Sequence, residues 1–247
     1  MNNQIIDQHE GLTKEISREF FRSVYGYMFA ALGISGVIAY MVGTGEPIII
    51  GDKEIPKFMA EYFFTQTGYS IWFYVVMFAP LILGMVIQGA YHRLSLGLLM
   101  ILYVTYSVLM GMCLSTIFVV YTQAAIATTF FVAAGAFGAM AVLGYTTKTD
   151  LTKFGSLLYM VFIGMFIAML VNWFVGSEMI DFIISILGVF VFTGLTAYYM
   201  QQLKGVSGDT SLSGLDRSKL SLVGGMQLYI LFINLFLSLL NLMGSRD

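Results

Sequence analysis

Between Leu94 and Thr147 the chain runs for 54 residues without an Asp, Glu, Lys or Arg. Five further uncharged runs, Ser23 to Gly45, Tyr62 to His92, Phe154 to Ser177, Phe182 to Leu203 and Leu220 to Ser245, have 23, 31, 24, 22 and 26 residues. A helix needs roughly 20 apolar residues to cross the hydrocarbon of a bilayer, so each run is long enough. Lipid offers the backbone no hydrogen-bond partner, so a spanning segment is either a helix or part of a closed barrel. These runs lack the alternation of barrel strands. The fold class is therefore an all-α integral membrane bundle.

The longest run must hold two helices, and Tyr121, Thr122 and Gln123 mark the break. Seven spans result, near Val24 to Val42, Ile71 to Ala90, Leu94 to Val120, Ala124 to Tyr145, Ser156 to Val175, Phe182 to Met200 and Leu220 to Met243. At 58% hydrophobic and 11% charged residues, against about 25% charged in soluble domains, the spans consume most of the 247 residues. No room is left for a soluble catalytic domain. The economical division is a polar cytoplasmic tail over residues 1–22 and a single seven-helix domain over 23–247.

Positive loops stay on the cytoplasmic side. Nine of the twelve Lys and Arg residues fall on the side of the N-terminus: Lys14, Arg18, Arg22, Arg93, Lys148, Lys153, Lys204, Arg217 and Lys219. Lys53, Lys57 and Arg246 fall on the other. This predicts an N-terminus inside and a C-terminus outside. The first 22 residues carry Asp7, Glu10, Glu15 and Glu19 beside three basic residues, unlike a cleaved signal peptide. Ile5, Ile6, Leu12, Ile16, Phe20 and Phe21 suit either a weakly amphipathic surface helix or a flexible tail. A net charge of −2 with no basic stripe argues against nucleic acid.

Cys113 stands alone inside the third span, which excludes an internal disulfide and a thiolate metal cluster and leaves a packed apolar role. His9 lies in the tail and His92 at a helix end, so no histidine sits at membrane depth for intramembrane Ser/His proteolysis or histidine-bound zinc. With no His, Asp, Glu or Lys at depth, no nucleophile has a visible base, and we expect no enzyme. Pro80 frees a carbonyl in mid-span and predicts a kink. Ala134 with Gly138, Gly135 with Ala139 and Gly164 with Ala168 are small-xxx-small pairs, suited to close packing inside the bundle or to a dimer face.

The polar residues at depth are Asn172, Tyr198, Tyr199, Gln201, Gln202, Gln227, Tyr229 and Asn234. Such groups tie helices together at ~0.6 kcal/mol each, or line a pathway. Gln227, Leu231 and Asn234 fall at i, i+4 and i+7 on one face. Asp150, directly before an apolar helix, reads as its N-cap.

Three stretches then resemble one family. Gly144-Tyr-Thr-Thr-Lys-Thr-Asp-Leu-Thr152, Phe192-Thr-Gly-Leu-Thr-Ala-Tyr-Tyr-Met-Gln-Gln-Leu-Lys204 and Leu228-Tyr-Ile-Leu-Phe-Ile-Asn-Leu-Phe-Leu237 are similar to motifs of the Bax inhibitor-1 family, in family order. The resemblance implies six helices around a central seventh in a bacterial inner membrane, and a calcium leak governed by pH. It also implies that the second and third motifs meet, which predicts a bond from Asn234 to a neighbouring helix near Tyr199.

The pattern departs at two positions. The family motifs usually have Asp where this chain has Tyr199 and Leu231. Paired carboxylates sense pH because adjacent like charges cannot both ionise cheaply. An unperturbed Tyr titrates near pH 10 and Leu not at all. Relatives also commonly carry a basic cluster at the end of the second span, where this chain keeps His92 and Arg93 behind Tyr91. A buried charge network has been removed as a unit.

Two functional readings follow. One is a cation path, for calcium by resemblance, that lacks its pH gate and is either slightly open or shut. The other is a non-conducting membrane regulator that binds a membrane protease or translocation complex, as the resemblance also allows. Apart from the bilayer and these partners, Glu46, Asp52, Glu54, Glu61, Glu178 and Asp181 at the outer surface are either solvated surface or an attracting field for weakly bound calcium.

Overall fold

A computed structural model describes residues 2–50, 53–65 and 68–244 of the chain. Asp52 and Arg246 lie outside the described residues, as do the side chains of Ile5, Ile6, Asp7, His9, Glu10, Leu12, Lys53 and Glu54.

Among the described residues, seven helices are long and apolar enough to cross a membrane. They are α1 (Asn2–Gly43), α3 (Ile71–Ala90), α4 (Leu96–Leu114) continued by the short α5 (Ile117–Val120), α6 (Gln123–Thr146), α7 (Thr152–Val175), α8 (Glu178–Ser207) and α9 (Gly214–Met243). The second span has the ends expected from sequence. α1, α8 and α9 run on beyond their uncharged stretches into polar flanks, because a helix satisfies its own backbone in water and lipid alike. Residues 2–22 therefore continue into the first span as one helix, on which Phe20 and Phe21 are buried. The expected break in the long run is present: Tyr121 is extended, with φ −124° and ψ 145°, and α6 begins at Gln123.

Helix starts follow local chemistry. The hydroxyls of Ser70, Ser95 and Ser177 accept from the N–H groups of Trp72, Leu98 and Ile180, capping α3, α4 and α8. Gly176 ends α7 in the left-handed region, φ 67°, donating its N–H to the Asn172 carbonyl at 2.7 Å.

The chain divides into two compact units, with boundaries inside α1 after Phe21 and inside α9 after Met226. The first holds the start of α1, α6, α7, α8 and the larger part of α9. The second holds the rest of α1, α3 to α5 and the first turns of α9. α9 is the most enclosed of the seven long helices, with 67% of its most apolar window buried.

In the second unit, the connection between the first two spans is folded, which its sequence did not announce. β1 (Pro47–Ile50) pairs antiparallel with β2 (Lys53–Pro56), followed by α2 (Lys57–Phe63) and a small pairing of β3 (Phe64–Thr65) with β4 (Gly68–Tyr69). Ile55, Met59, Phe63 and Val76 are its buried core. α3 runs unbroken through Pro80. The proline lacks the N–H that would pair with the carbonyl of Val76 four residues earlier. The Cys113 thiol of α4 donates to that carbonyl at 3.1 Å. Cys113 is thus more than a packed apolar residue.

The close approaches in the molecule are not at the small-xxx-small pairs. A Cβ at Gly135, Gly138 or Gly164 would meet nothing within 4 Å. These glycines do not serve the internal packing that the sequence suggested. Gly164 and Ala168 instead line an open apolar groove between α7 and α8, facing Ile183 and Leu187. The tight contacts are at glycines outside those pairs. In the first unit a Cβ at Gly144 would lie 2.1 Å from the Ala197 carbonyl oxygen. In the second, one at Gly111 would lie 2.7 Å from the Ser35 oxygen and one at Gly225 would lie 2.6 Å from that of Val24.

Candidate functional site

The motif-bearing segments of α6, α8 and α9 and the loop before α7 all belong to the first unit. Gly144, without a side chain, lets the last turn of α6 touch the backbone of α8 at Ala197. Gly155 does the same for α7, where a Cβ would meet the Tyr198 ring at 2.4 Å. Tyr198 accepts a hydrogen bond at its hydroxyl from Gln202, one turn on, and stacks edge-on against Tyr159 of α7 with ring centroids 6.2 Å apart.

Gln201 organises the loop between α6 and α7. Its Oε1 accepts from the Leu151 N–H at 2.9 Å and its Nε2 donates to the Thr149 carbonyl at 2.8 Å. Leu151 is the N-cap residue of α7 and has no oxygen to offer, so the cap comes from another helix. Asp150 stands one place before the cap rather than on it. Its Oδ1 still accepts from the Thr152 hydroxyl at 2.6 Å and the Thr152 N–H at 2.9 Å. Those two bonds hold its carboxyl below the usual carboxylate range, with help from Lys153. Lys204 completes this end of α8, donating to the Tyr145 carbonyl at 2.7 Å while its ammonium lies 5.1 Å from the centre of the Tyr145 ring.

Of the two positions where the sequence departs from the motifs it resembles, Tyr199 is half-buried on α8 and Leu231 is 3% exposed on α9. The neighbour of Leu231, Phe232, packs edge-on against Phe130 and Phe137 of α6, at centroid distances of 5.4 and 5.6 Å. Tyr229 is wholly buried, and Gln227 is half-buried. Asn234 does not reach to Tyr199's helix as expected. Its amide donates to the Ile230 carbonyl of its own helix at 2.8 Å, and its carbonyl in turn accepts from the Ser238 hydroxyl at 2.8 Å. In a medium without water the nearest acceptor is a carbonyl one turn back. Thr196 likewise donates to the Phe192 carbonyl at 2.7 Å.

Asn172 lies at the far end of α7 and belongs to a turn. Its Nδ2 donates to the Ser177 carbonyl and to Asp181, and its Oδ1 accepts from the Ser177 N–H at 2.9 Å. Asn241 was not singled out from the sequence, yet its amide donates to the Ser185 hydroxyl at 2.7 Å and joins α9 to α8. Among the described residues no three of His, Cys, Asp and Glu gather to hold a metal ion.

His92 and Arg93 fall in the second unit, at the end of α3. Tyr91 and His92 stand together, rings 3.7 Å apart, and burial raises the Tyr91 phenol above its usual value. The His92 carbonyl accepts from Lys219 of α9 at 3.3 Å. Lys219 is a long-range member of this cluster that sequence order hides.

A polytopic helical membrane protein, with its motif segments locked by glycine contacts and side-chain caps, is the class these features define. The family described as "Inhibitor of apoptosis-promoting Bax1" matches residues 17–247. The inner membrane protein YbhL of Escherichia coli is 37% identical over 250 residues, covering 99% of this chain and 97% of its own length. An uncharacterized protein of Borreliella burgdorferi is 40% identical over 237 residues, 94% of each chain. An uncharacterized membrane protein of Streptococcus pyogenes is 30% identical over 229 residues, 93% of each chain. The chain belongs to the Bax inhibitor-1 family.

Proposed function

We propose that this chain is an inner-membrane protein whose calcium-leak path is shut and does not respond to pH. The N-terminus lies inside, with nine of twelve basic residues on its side of the membrane. The observation that carries the reading is the burial of Leu231, at 3% exposure, at the position where the family places a sensing carboxylate. Neither Leu231 nor Tyr199 carries a carboxylate. The location is taken from the name of the Escherichia coli relative, the leak from the family resemblance.

The polar residues of α8 and α9 support closure in a second way. Thr196, Asn234 and Ser238 each satisfy themselves on backbone carbonyls of their own helix. A hydrated ion needs rings of carbonyls or carboxylates in exchange for its water, and among the described residues no three His, Cys, Asp or Glu side chains gather to offer one. No catalytic step forms part of the proposal. A role as a non-conducting regulator of a membrane protease or translocation complex is compatible with a shut path, and any such partner would be met outside it.

The test is calcium uptake into liposomes at about pH 6 and about pH 8. It compares the unmodified chain with the double substitution Tyr199→Asp, Leu231→Asp. We expect background uptake from the unmodified chain at both values and pH-dependent uptake from the double variant. Equal, substantial uptake at both values would leave an ungated leak and remove the closure. A steep pH response in the unmodified chain would overturn the proposal altogether.

A further inference from the structure

Lys219 is 8% exposed, and among the described residues its ammonium has one partner, the His92 carbonyl at 3.3 Å. An ammonium carries three donors, and lysines are almost never buried unless paired. The bond to His92 has a plain structural value: a cation lies at the carbonyl end of α3, where the helix dipole is negative and the helix's own last turn has no basic residue. That accounts for one N–H of three.

The nearest carboxylate in sequence, Asp216, is engaged elsewhere: its Oδ2 accepts from the Ser213 hydroxyl at 2.7 Å. Arg93 follows His92 directly, so the carbonyl that Lys219 holds is joined to the Arg93 backbone nitrogen, while the Arg93 side chain is exposed. Lys219 thus bonds to the backbone at the residue before Arg93, and among the described residues no carboxylate is bonded to either side chain.

Their depth is set by the sequence. Lys219 immediately precedes the 26-residue uncharged run that ends at Ser245, and Arg93 immediately follows the 31-residue run that ends at His92. Both therefore stand where the hydrocarbon ends and the headgroups begin. The chemistry found at that level with the matching charge is a phosphate oxyanion. The spare ammonium donors and the guanidinium fork are suited to share its oxygens.

We propose that Lys219 and Arg93 form a binding site for a phosphate group, which an anionic phospholipid supplies from the leaflet or a soluble phosphate supplies from the aqueous side. The site lies wholly within the second unit and is independent of ion conduction.

The experiment uses the full chain in neutral detergent and follows its melting temperature. One arm adds phosphatidylglycerol against phosphatidylcholine, and the other adds inorganic phosphate against chloride at equal ionic strength. We expect phosphatidylglycerol to stabilise the protein. Its apparent affinity should fall about fivefold in Arg93→Gln, the loss expected for one basic residue at an anionic surface, and further in Lys219→Met, with Lys219→Arg retaining it. Stabilisation by phosphatidylglycerol alone identifies the lipid, and stabilisation by inorganic phosphate as well identifies a site open to soluble phosphates. No stabilisation by either, or an equal response from every variant, overturns the proposal. Arg93 is exposed, so Arg93→Gln decides the matter even if Lys219→Met does not fold.

Discussion

The Cys113 thiol donates, at 3.1 Å, to the one carbonyl of α3, that of Val76, which Pro80 leaves without its helical partner. A proline in a spanning helix strands an acceptor where no water can reach it, and here the neighbouring helix supplies a donor. Removing that donor in Cys113→Ala should cost ~1 kcal/mol. Cys113→Ser should largely retain it. In a Pro80→Ala background the alanine N–H pairs with Val76, so Cys113→Ala should then cost much less. Thermal or denaturant unfolding of the four proteins in detergent checks this. Equal costs in both backgrounds would refute the pairing.

Gly144 tolerates no side chain, because a Cβ would sit 2.1 Å from the Ala197 oxygen, a backbone atom that cannot turn aside. Gly144→Ala should destabilise by ~1–3 kcal/mol, as overpacking does. Gly135→Ala and Gly164→Ala face open space and should be neutral or slightly stabilising. Melting temperatures of the three variants provide the comparison. A harmful Gly164→Ala would point instead to a partner in the groove beside it.

Gln201→Leu removes both the cap on Leu151 and the bond to Thr149. Leaving that N–H and carbonyl unpaired should cost ~1–3 kcal/mol. Gln201→Glu keeps the acceptor alone and should lose less. Hydrogen exchange at the amides of residues 151 to 153 is the direct readout, rising in Gln201→Leu if the cap is real.

Leu231→Asp alone buries a carboxylate at membrane depth and should destabilise by ~2.5–3.5 kcal/mol. Leu231→Met should be nearly neutral. Denaturant titration of both variants in mixed micelles gives the difference. A well-tolerated single aspartate would mean that water reaches this position.

The Asp150 carboxyl sits below its ordinary range in the folded protein because the Thr152 hydroxyl and N–H both donate to it. Its contribution to stability is therefore complete above the ordinary carboxylate pKa and is lost as the pH falls through the lowered, folded value. Asp150→Asn should flatten the acid limb of a stability-against-pH curve and leave the neutral region's slope unchanged. Melting curves across the acid range test it, and an unaltered acid limb would count against the bonds to Thr152.

Much of the architecture was legible because one physical rule dominates it. An uncharged stretch of about 20 residues has a single common fate in a bilayer, so Ile71–Ala90 could be read to the residue. The need for a break in the longest run was legible from its length, and Tyr121, Thr122 and Gln123 marked the place. The hairpin of Pro47–Ile50 with Lys53–Pro56 was not, since four-residue strands beside prolines carry little periodic signal. The candidate site divides in the same way. Tyr199 and Leu231 stand out against the family pattern, but the cap that Gln201 gives to Leu151 spans 50 positions. The bond of Lys219 to His92 spans 127. Contacts of that range come from helix packing, which single-residue chemistry does not encode. Asn234 was misjudged for a related reason: a polar side chain in a span can spend itself on its own helix, and spacing does not reveal which it will do.

At one end of α8, three ties follow within eight residues: Ala197 pressed on Gly144, Gln201 holding the loop to α7, and Lys204 holding the last turn of α6. Contact between backbones leaves no slack for sliding, and the two side-chain ties resist twisting. The end of α6, the loop and this part of α8 therefore behave mechanically as one lever arm. A force applied to Thr149 reaches α8 through the Gln201 amide, and one applied to Gly144 reaches it directly at Ala197. The grip continues farther along α8, where Gly194 lies against Leu158 and Gly188 against Ser238.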